Sequence, residues 1–229
     1  MVTDTSLLLY WRLFSWYRLL RVWVTLRFDD HRGLLPDTLR MVSGSVRGTL
    51  VRTKTSGAGK RREELYLHID ALAYISQPTW HKVGMELWPS VNSPRDYFLM
   101  LPSYNFHGVV ALEAQYADCQ ALCNRLHKSI LHQDGSPVLP MPDCEAFWTQ
   151  HGDRATLPTL GAVDSSLPVE WLDELGHWSS KSSHACVRTQ LQKVAKIQSA
   201  IAGSLRAGCF YCCGDWRSRS VCLLGCVHG

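Results

Sequence analysis

Two histidines and an arginine form a pattern that suits chemistry on a phosphate group. His151 precedes Arg154 by three positions, and His177 follows Arg154 by 23 positions in the pair Gly176-His177. Residues three apart on a helix project from the same side, so the sequence predicts that His151 and Arg154 share one face. A guanidinium can bind two phosphate oxygens, and an imidazole can donate or accept a proton. Together the three side chains suit a phosphoryl transition state.

The turn that contains His177 resembles a motif of a known family. Leu175-Gly176-His177-Trp178 follows the His-x-x-Arg box, and Cys186 stands nine positions after His177. This order resembles the catalytic domain of the tyrosine recombinase (phage integrase) family, in which a nucleophilic Tyr occupies the position of Cys186. The resemblance covers residues 10–203. It implies an integrase-like catalytic domain without the separate N-terminal core-binding domain of that family.

The resemblance assigns roles in an in-line phosphoryl transfer. Two arginines would clamp the non-bridging phosphate oxygens, where charge builds in the transition state. Arg154 would be one of them, and Arg32, at the helix break that precedes the predicted sheet, would be the other. His151 would act as general base for the nucleophile, and His177 would donate to the phosphate. The resemblance implies neither a cofactor nor a metal ion.

The other parts of this mechanism lie on a predicted β-hairpin and at the nucleophile position. Lys54 would protonate the leaving 5′ oxygen, and Lys60, Arg61 and Arg62 in the same hairpin would bind DNA. A cysteine thiolate is a nucleophile in general. Cys186 is nevertheless shorter than the tyrosine for which the family's pocket is shaped, and attack tolerates errors of only about 1 Å. We therefore expect the nucleophile to be lost.

These residues predict a protein that binds duplex DNA. By resemblance it belongs to DNA recombination and integration, the breakage and rejoining of strands, with cleavage impaired at Cys186. Two alternatives stay open: a non-catalytic DNA-binding domain that keeps the phosphate-binding side chains, and a structural remnant of a mobile-element recombinase. The resemblance also implies a homo-oligomer formed through the C-terminal helix.

An α+β fold, mainly helical with a small three-stranded antiparallel sheet, is predicted to position these residues. Apolar positions that recur every three or four residues predict helices, and short alternating runs predict strands. The predicted helices are 6–27, Thr79–Leu87, Val109–Leu131, Pro168–Leu175 and a last helix ending at Ala202, and the predicted strands are 38–43, 46–53 and 64–69.

The first predicted helix carries a polar stripe. The stripe consists of Arg12, Ser15, Arg18, Arg21 and Thr25, which recur at three and four positions. This spacing predicts one solvent-exposed face on an otherwise apolar helix. The arginines of that face would either contact a DNA backbone or remain solvated.

Charge is unevenly distributed along the chain. Residues 1–62 carry a net charge of +8, residues 63–178 carry −10 and residues 179–229 carry +6. Basic ends around an acidic middle fit a phosphate-binding surface built from the two ends, and equally fit charge balance within a domain. We expect residues 1–203 to form the recombinase-like domain and residues 204–229 to be a disordered Cys-rich tail, with zinc binding by that tail as the alternative.

The cellular location is inferred from the cysteines and the apolar N-terminal stretch. Nine Cys without a signal-peptide pattern indicate an intracellular protein, nuclear in a eukaryote. The stretch Leu7–Phe28 is apolar, but it contains four arginines, each of which is expensive inside a bilayer. We therefore expect no membrane span.

Overall fold

The computed structural model describes residues 1–51, 65–91, 93–131, 134–138, 149–163, 167–175 and 187–207. Within these ranges the fold is mixed α+β, and about half of the residues lie in helices. The helices are α1 (Leu9–Val24), α2 (Phe28–Arg32), α3 (Trp80–Leu87), α4 (Tyr116–Lys128), α5 (Gln150–Val163), α6 (Val169–Leu175) and α7 (Val187–Arg206). The strands are β1 (Arg40–Val42), β2 (Ser45–Leu50), β3 (Leu65–Ile69), β4 (Met100–Pro102) and β5 (Val109–Glu113).

Helix α1 lies at the centre of the core. Large side chains on several sides of it are almost fully buried, among them Tyr10, Phe14, Trp16 and Leu20. A helix that is apolar on most sides is stable only when other elements surround it. Helices α3 and α5 and strand β3 pack against α1 and provide that cover.

Most of the polar stripe of α1 is buried, so the prediction of a solvent-exposed face was wrong for four of its five residues, and Arg12 is half-buried. Ser15, Arg18, Arg21 and Thr25 are each at most 9% exposed. The reason is that α5 packs along this stripe and supplies polar partners for the arginines. Sequence periodicity locates the polar face of a helix, but a face with partners can be buried as well as solvated.

The predicted three-stranded antiparallel sheet is confirmed, with the strand order β1-β2-β3. Ser43 and Gly44 connect β1 to β2 with φ angles of 50° and 78°. Two successive positive φ angles are typical of the tight turn that suits the twist of a hairpin. Strand β2 turns Val46 and Leu50 into the core. The hairpin residues between β2 and β3 lie outside the described part of the chain.

The predicted helix Val109–Leu131 is only partly correct. Its first five residues form strand β5, which pairs antiparallel with β4. Helix α4 begins at Tyr116, after the backbone N–H of Gln115 donates to the Asp118 carboxylate at 2.8 Å. That side chain caps the first turn and fixes where the helix starts. The periodic pattern was real but began seven residues too early.

The short helices predicted at Thr79–Leu87 and Pro168–Leu175 are present as α3 and α6. The last helix continues to Arg206, beyond the predicted end at Ala202. Arg206 lies over the ring of Tyr74 at 4.3 Å and donates to the Tyr74 carbonyl at 2.6 Å. Residues 208–229 are outside the described part of the chain, so the prediction of a disordered tail stays a prediction. None of the described helices is long and apolar enough to cross a bilayer.

Candidate functional site

Arg154 lies on α5 with its side chain turned into the protein, and only 5% of the residue is exposed. Burial lowers the pKa of its guanidinium, and the nearby positive charge of Arg27 lowers the pKa further, whereas the carboxylate of Asp30 raises it. These effects place two cations and one anion close together. The three side chains, Arg27, Asp30 and Arg154, are called the arginine pair site below.

Arg27 lies between α1 and α2 and is half-buried. Helix α1 ends at Val24. Its C-cap residue, Thr25, has a left-handed conformation (φ 54°) and lies two residues before Arg27. The backbone N–H of Arg27 then donates to the Asp30 carboxylate at 3.4 Å, at the start of α2. Among the described residues, no carboxylate lies within ion-pair distance of the Arg27 side chain. This junction therefore presents a cation at the surface beside a buried one.

The arginine pair site contains groups that suit a phosphodiester. Two guanidinium groups lie with one carboxylate, and a phosphodiester carries −1. Guanidinium groups bind phosphate oxygens in a two-point geometry. Because Arg154 is buried and Arg27 is half-buried, a phosphate at the surface would meet Arg27 first and could bridge to Arg154.

Arg32, the arginine that the sequence suggested for the clamp, is engaged elsewhere. Its Nε and Nη2 donate to the two carboxylate oxygens of Glu113 at 2.9 and 2.8 Å. Asp29 lies 3.9 Å away on the same helix. The hydrogen bond from Arg32 to Glu113 raises the pKa of the guanidinium. Arg27, five positions earlier, is the arginine whose charge acts on Arg154.

Sequence reasoning missed Arg27, although a signal for it exists. The predicted first helix extended to residue 27, whereas α1 ends at Val24 with Thr25 as its C-cap. Asp29 and Asp30 follow Arg27 after one intervening residue, and acidic residues favour the first turn of a helix. That pair marks the start of α2 and so places Arg27 at a junction between two helices.

His151 lies on α5 with Arg154, as the three-residue spacing predicts. The side chain of His151 is exposed, whereas that of Arg154 is buried. Helical positions three apart differ by about 60° around the axis. His151 is therefore at the rim of the face that turns Arg154 inward. A rim position is open to a substrate that approaches from solvent.

The remaining predicted site residues lie outside the described part of the chain. They are Lys54, Lys60, Arg61, Arg62, His177 and Cys186. Leu175 is the last described residue before Gly176, and it is 2% exposed. The Leu175 carbonyl accepts a hydrogen bond from the Thr25 hydroxyl. The segment that enters the Gly176-His177 turn is thus attached to the end of α1, two residues before Arg27.

A buried polar network joins α5 to α1 behind the arginine pair site. Arg18 donates to the two carboxylate oxygens of Asp153, with Nη2 to Oδ1 at 2.6 Å and Nε to Oδ2 at 3.3 Å. Arg21 donates to the same carboxylate and to the side chain and carbonyl of Gln150. Arg21 and Asp153 are fully buried. The four residues Arg18, Arg21, Gln150 and Asp153 are called the clamp.

The electrostatics of the clamp keep Asp153 ionised. Burial raises the pKa of the Asp153 carboxyl, but the two neighbouring guanidinium groups outweigh burial and hold that pKa below its usual value. His127 of α4 accepts a hydrogen bond from Arg18 Nη1 at 2.7 Å. Burial, aided by Arg18, lowers the pKa of His127 to about 4, so its ring is neutral at pH 7 and can accept this bond.

A pocket of about 410 Å³ opens on one side of the clamp, between α1 and α3. Arg18 and Asp153 contribute to its lining, together with the aromatic side chains of Trp23 and Trp80. The clamp is therefore sealed by protein around Arg21 but borders open space at Arg18. A substituted side chain at position 18 therefore borders open space, whereas one at position 21 does not.

Cys119 and Cys123 lie four positions apart on α4 and are both buried as free thiols. Burial raises the pKa of Cys119 to about 12, and it also raises that of Cys123. Among the described residues, no group of His, Cys, Asp and Glu could hold a metal ion.

No family model, curated protein or solved structure matches this chain.

Proposed function

We propose that this chain is a duplex-DNA-binding protein of the tyrosine recombinase type that acts in DNA recombination and integration. Arg27 and Arg154 hold one backbone phosphate, and Cys186, in place of a nucleophilic tyrosine, leaves strand cleavage impaired. The observation that carries the proposal is the burial of Arg154 beside a second, surface arginine.

The energetics of the arginine pair favour an anionic ligand. Burying a cation costs several kcal/mol unless partners compensate, and a second cation nearby adds to that cost. Asp30 supplies one negative charge for two guanidinium groups. A bound phosphodiester would bring a further negative charge to the two guanidinium groups.

Duplex DNA is the proposed source of the phosphodiester because both ends of the chain are basic. Residues 1–62 and 179–229 carry net charges of +8 and +6, and Arg27 belongs to the first of these blocks. A backbone contact of this kind positions DNA without reading its bases. Binding is therefore expected to be largely independent of sequence and to weaken steeply as salt increases.

The residues around the arginine pair have the roles that the resemblance gives them. His151, at the exposed rim of α5, is placed where a general base would meet an incoming nucleophile. His177, Lys54, Lys60, Arg61 and Arg62 lie outside the described part of the chain, and for them we propose the roles that the resemblance implies: His177 donates to the phosphate, Lys54 protonates the leaving oxygen and the other three bind DNA. Without an attacking atom in line, these groups bind and polarise a phosphate but form no bond to it.

Fluorescence anisotropy with a labelled duplex tests the phosphate contact. The variants are Arg27→Gln and Arg154→Gln. The matched control is Arg125→Gln, because Arg125 does not belong to the site and instead lies over the Phe106 ring, 4.5 Å from the ring centroid. A charge-assisted hydrogen bond contributes about 1.5–3 kcal/mol, so each site variant is expected to bind roughly 10- to 100-fold more weakly. The slope of log affinity against log salt is expected to fall by about 0.9.

Two results would contradict the proposal. One is unchanged affinity for Arg27→Gln and Arg154→Gln in folded protein. The other is an equal loss in the Arg125→Gln control, which would show a diffuse charge effect rather than a site.

A second experiment separates impaired cleavage from the two alternatives. Labelled nicked duplex is incubated with the wild type, Cys186→Tyr and Cys186→Ala, and covalent adducts are resolved on a denaturing gel. We expect little or no adduct from the wild type and some from Cys186→Tyr. A wild-type adduct that disappears in Cys186→Ala would show that Cys186 is a working nucleophile. If Cys186→Tyr forms no adduct but DNA binding survives, the chain is a non-catalytic DNA-binding domain.

A further inference from the structure

We propose that Asp153 is a positioning residue: held by Arg18 and Arg21, it fixes helix α5 so that Arg154 faces Arg27. This inference rests on the proposed function, because the benefit of the position is the binding of a phosphate by the two arginines. It adds a role for a residue that does not touch the phosphate itself.

The geometry of the clamp determines both the position of α5 along its axis and its rotation about that axis, relative to α1. Arg18 and Arg21 are three positions apart on α1, and Gln150 and Asp153 are three positions apart on α5, so each pair lies on one face of its helix. Arg21 reaches both members of the α5 pair, and Arg18 reaches both oxygens of Asp153. A shift of α5 by one turn, about 5.4 Å, would leave each of these buried charges without its partner.

Arg154 is the residue next to Asp153, so any movement of Asp153 is passed on to it directly. The two side chains point about 100° apart around α5. When Asp153 faces α1, Arg154 is turned to the neighbouring sector of α5, where it is buried and the charges of Arg27 and Asp30 act on its guanidinium. The clamp thus sets the direction in which the buried guanidinium points.

Stability alone does not account for a buried clamp of this kind. Well-packed apolar side chains of similar volume would join two helices at least as firmly, because ion pairs lose their hydration on burial. Polar pairing provides a single register instead, since every partner has one place where its charge is satisfied. Register matters here because Arg154 and Arg27 are contributed by different helices.

A double-mutant cycle on DNA affinity tests the inference. The variants are Asp153→Asn, Arg154→Gln and the two combined, with folding checked by near-ultraviolet circular dichroism and thermal melting. Asp153→Asn is expected to weaken duplex binding about 10-fold and to lower the salt slope by about 0.9, the value of one lost phosphate contact. The combined variant is expected to bind no more weakly than Arg154→Gln, because both changes remove the same contact.

Arg18→Lys covers the case in which Asp153→Asn does not fold. Arg18 borders the open pocket, so a lysine fits there and keeps the charge. Lysine lacks the planar fork that contacts both oxygens of Asp153, so the hold on α5 is looser. We expect a loss of affinity of about 3- to 10-fold that again disappears in the Arg154→Gln background.

The outcomes separate this inference from the function on which it rests. If Arg154→Gln binds DNA like the wild type, the proposed function fails and the inference fails with it. If Arg154→Gln binds weakly but folded Asp153→Asn and Arg18→Lys bind like the wild type, only the positioning role is overturned. Losses that add fully in the combined variants also overturn it, because Asp153 would then act independently of Arg154.

Discussion

The contact between α1 and α3 allows a sharp test of how tightly the central helix is enclosed. Gly84 of α3 faces the indole of Trp16. A Cβ added at Gly84 would lie 2.0 Å from Cδ1 and 2.2 Å from Nε1 of that ring, well inside van der Waals contact. Trp16 is 1% exposed and packs against Trp88 and Phe98, with ring centroids 5.7 and 5.9 Å away. These two rings limit how far the indole can move away from α3.

Gly84→Ala is therefore expected to destabilise the protein, although alanine is the better helix former. The gain in helix propensity is about 1 kcal/mol. Overpacking a filled core costs typically about 1–3 kcal/mol and more when a large ring must move. We expect a net loss of about 2 kcal/mol in the free energy of unfolding, which corresponds to a fall in Tm of roughly 4–8 °C for a domain of this size.

Gly203→Ala is the matched control. Gly203 lies within helix α7, and a Cβ there would meet no atom within 4 Å. Only the propensity gain remains, so we expect a stability increase of about 0.5–1 kcal/mol. Urea unfolding followed by tryptophan fluorescence and circular dichroism measures both variants. A Gly84→Ala protein as stable as Gly203→Ala would refute the packing of α3 on Trp16.

Three further predictions follow from the electrostatics of the described residues. The pKa of His127 is lowered to about 4 in the folded state, so the unfolded chain takes up a proton that the folded chain refuses, and stability falls as pH drops from about 6.5 towards 4. Solvent screening reduces this loss of stability to about 1–2 kcal/mol. The urea midpoints measured at pH 7 and at pH 5 should therefore lie closer together in His127→Gln than in the wild type. Cys119 and Cys123 should resist alkylation at pH 8 until urea unfolds the protein, as peptide mapping would show; rapid labelling of the native thiols would contradict their burial. Arg32→Gln and Glu113→Gln should each cost about 0.5–1 kcal/mol, and the combined variant no more than either alone, if the two side chains form the pair seen between α2 and β5.

The sequence was most informative about elements whose pattern is local. Alternation predicted the three-stranded sheet, and apolar spacing predicted α1, α3 and α6 close to their observed ends. Helix Val109–Leu131 shows where a local pattern misleads. The residues of β5 fit a helical period equally well, and only their pairing with β4, which a local pattern does not show, decides that they form a strand.

The site shows the same limit more strongly. The His-x-x-Arg spacing placed His151 and Arg154 on one helix, as observed. The polar stripe of α1 was found but assigned to solvent, because its partners Gln150 and Asp153 lie far away in sequence. Arg27 was overlooked because Thr25 ends α1 in a conformation that is uncommon for a residue other than glycine. Burial and pairing over such distances depend on the tertiary fold.

The clamp also bears on how this protein is made. Arg21 and Asp153 are 132 residues apart, so α1 is synthesised long before its partner helix exists. At about 5–20 residues per second, the delay is on the order of ten seconds. Strand β3 and helix α3 are synthesised earlier and can cover part of the apolar surface of α1, whereas Arg18 and Arg21 can remain hydrated until α5 is made. The two charges that end in the core therefore help to keep the nascent N-terminal helix soluble until α5 leaves the ribosome.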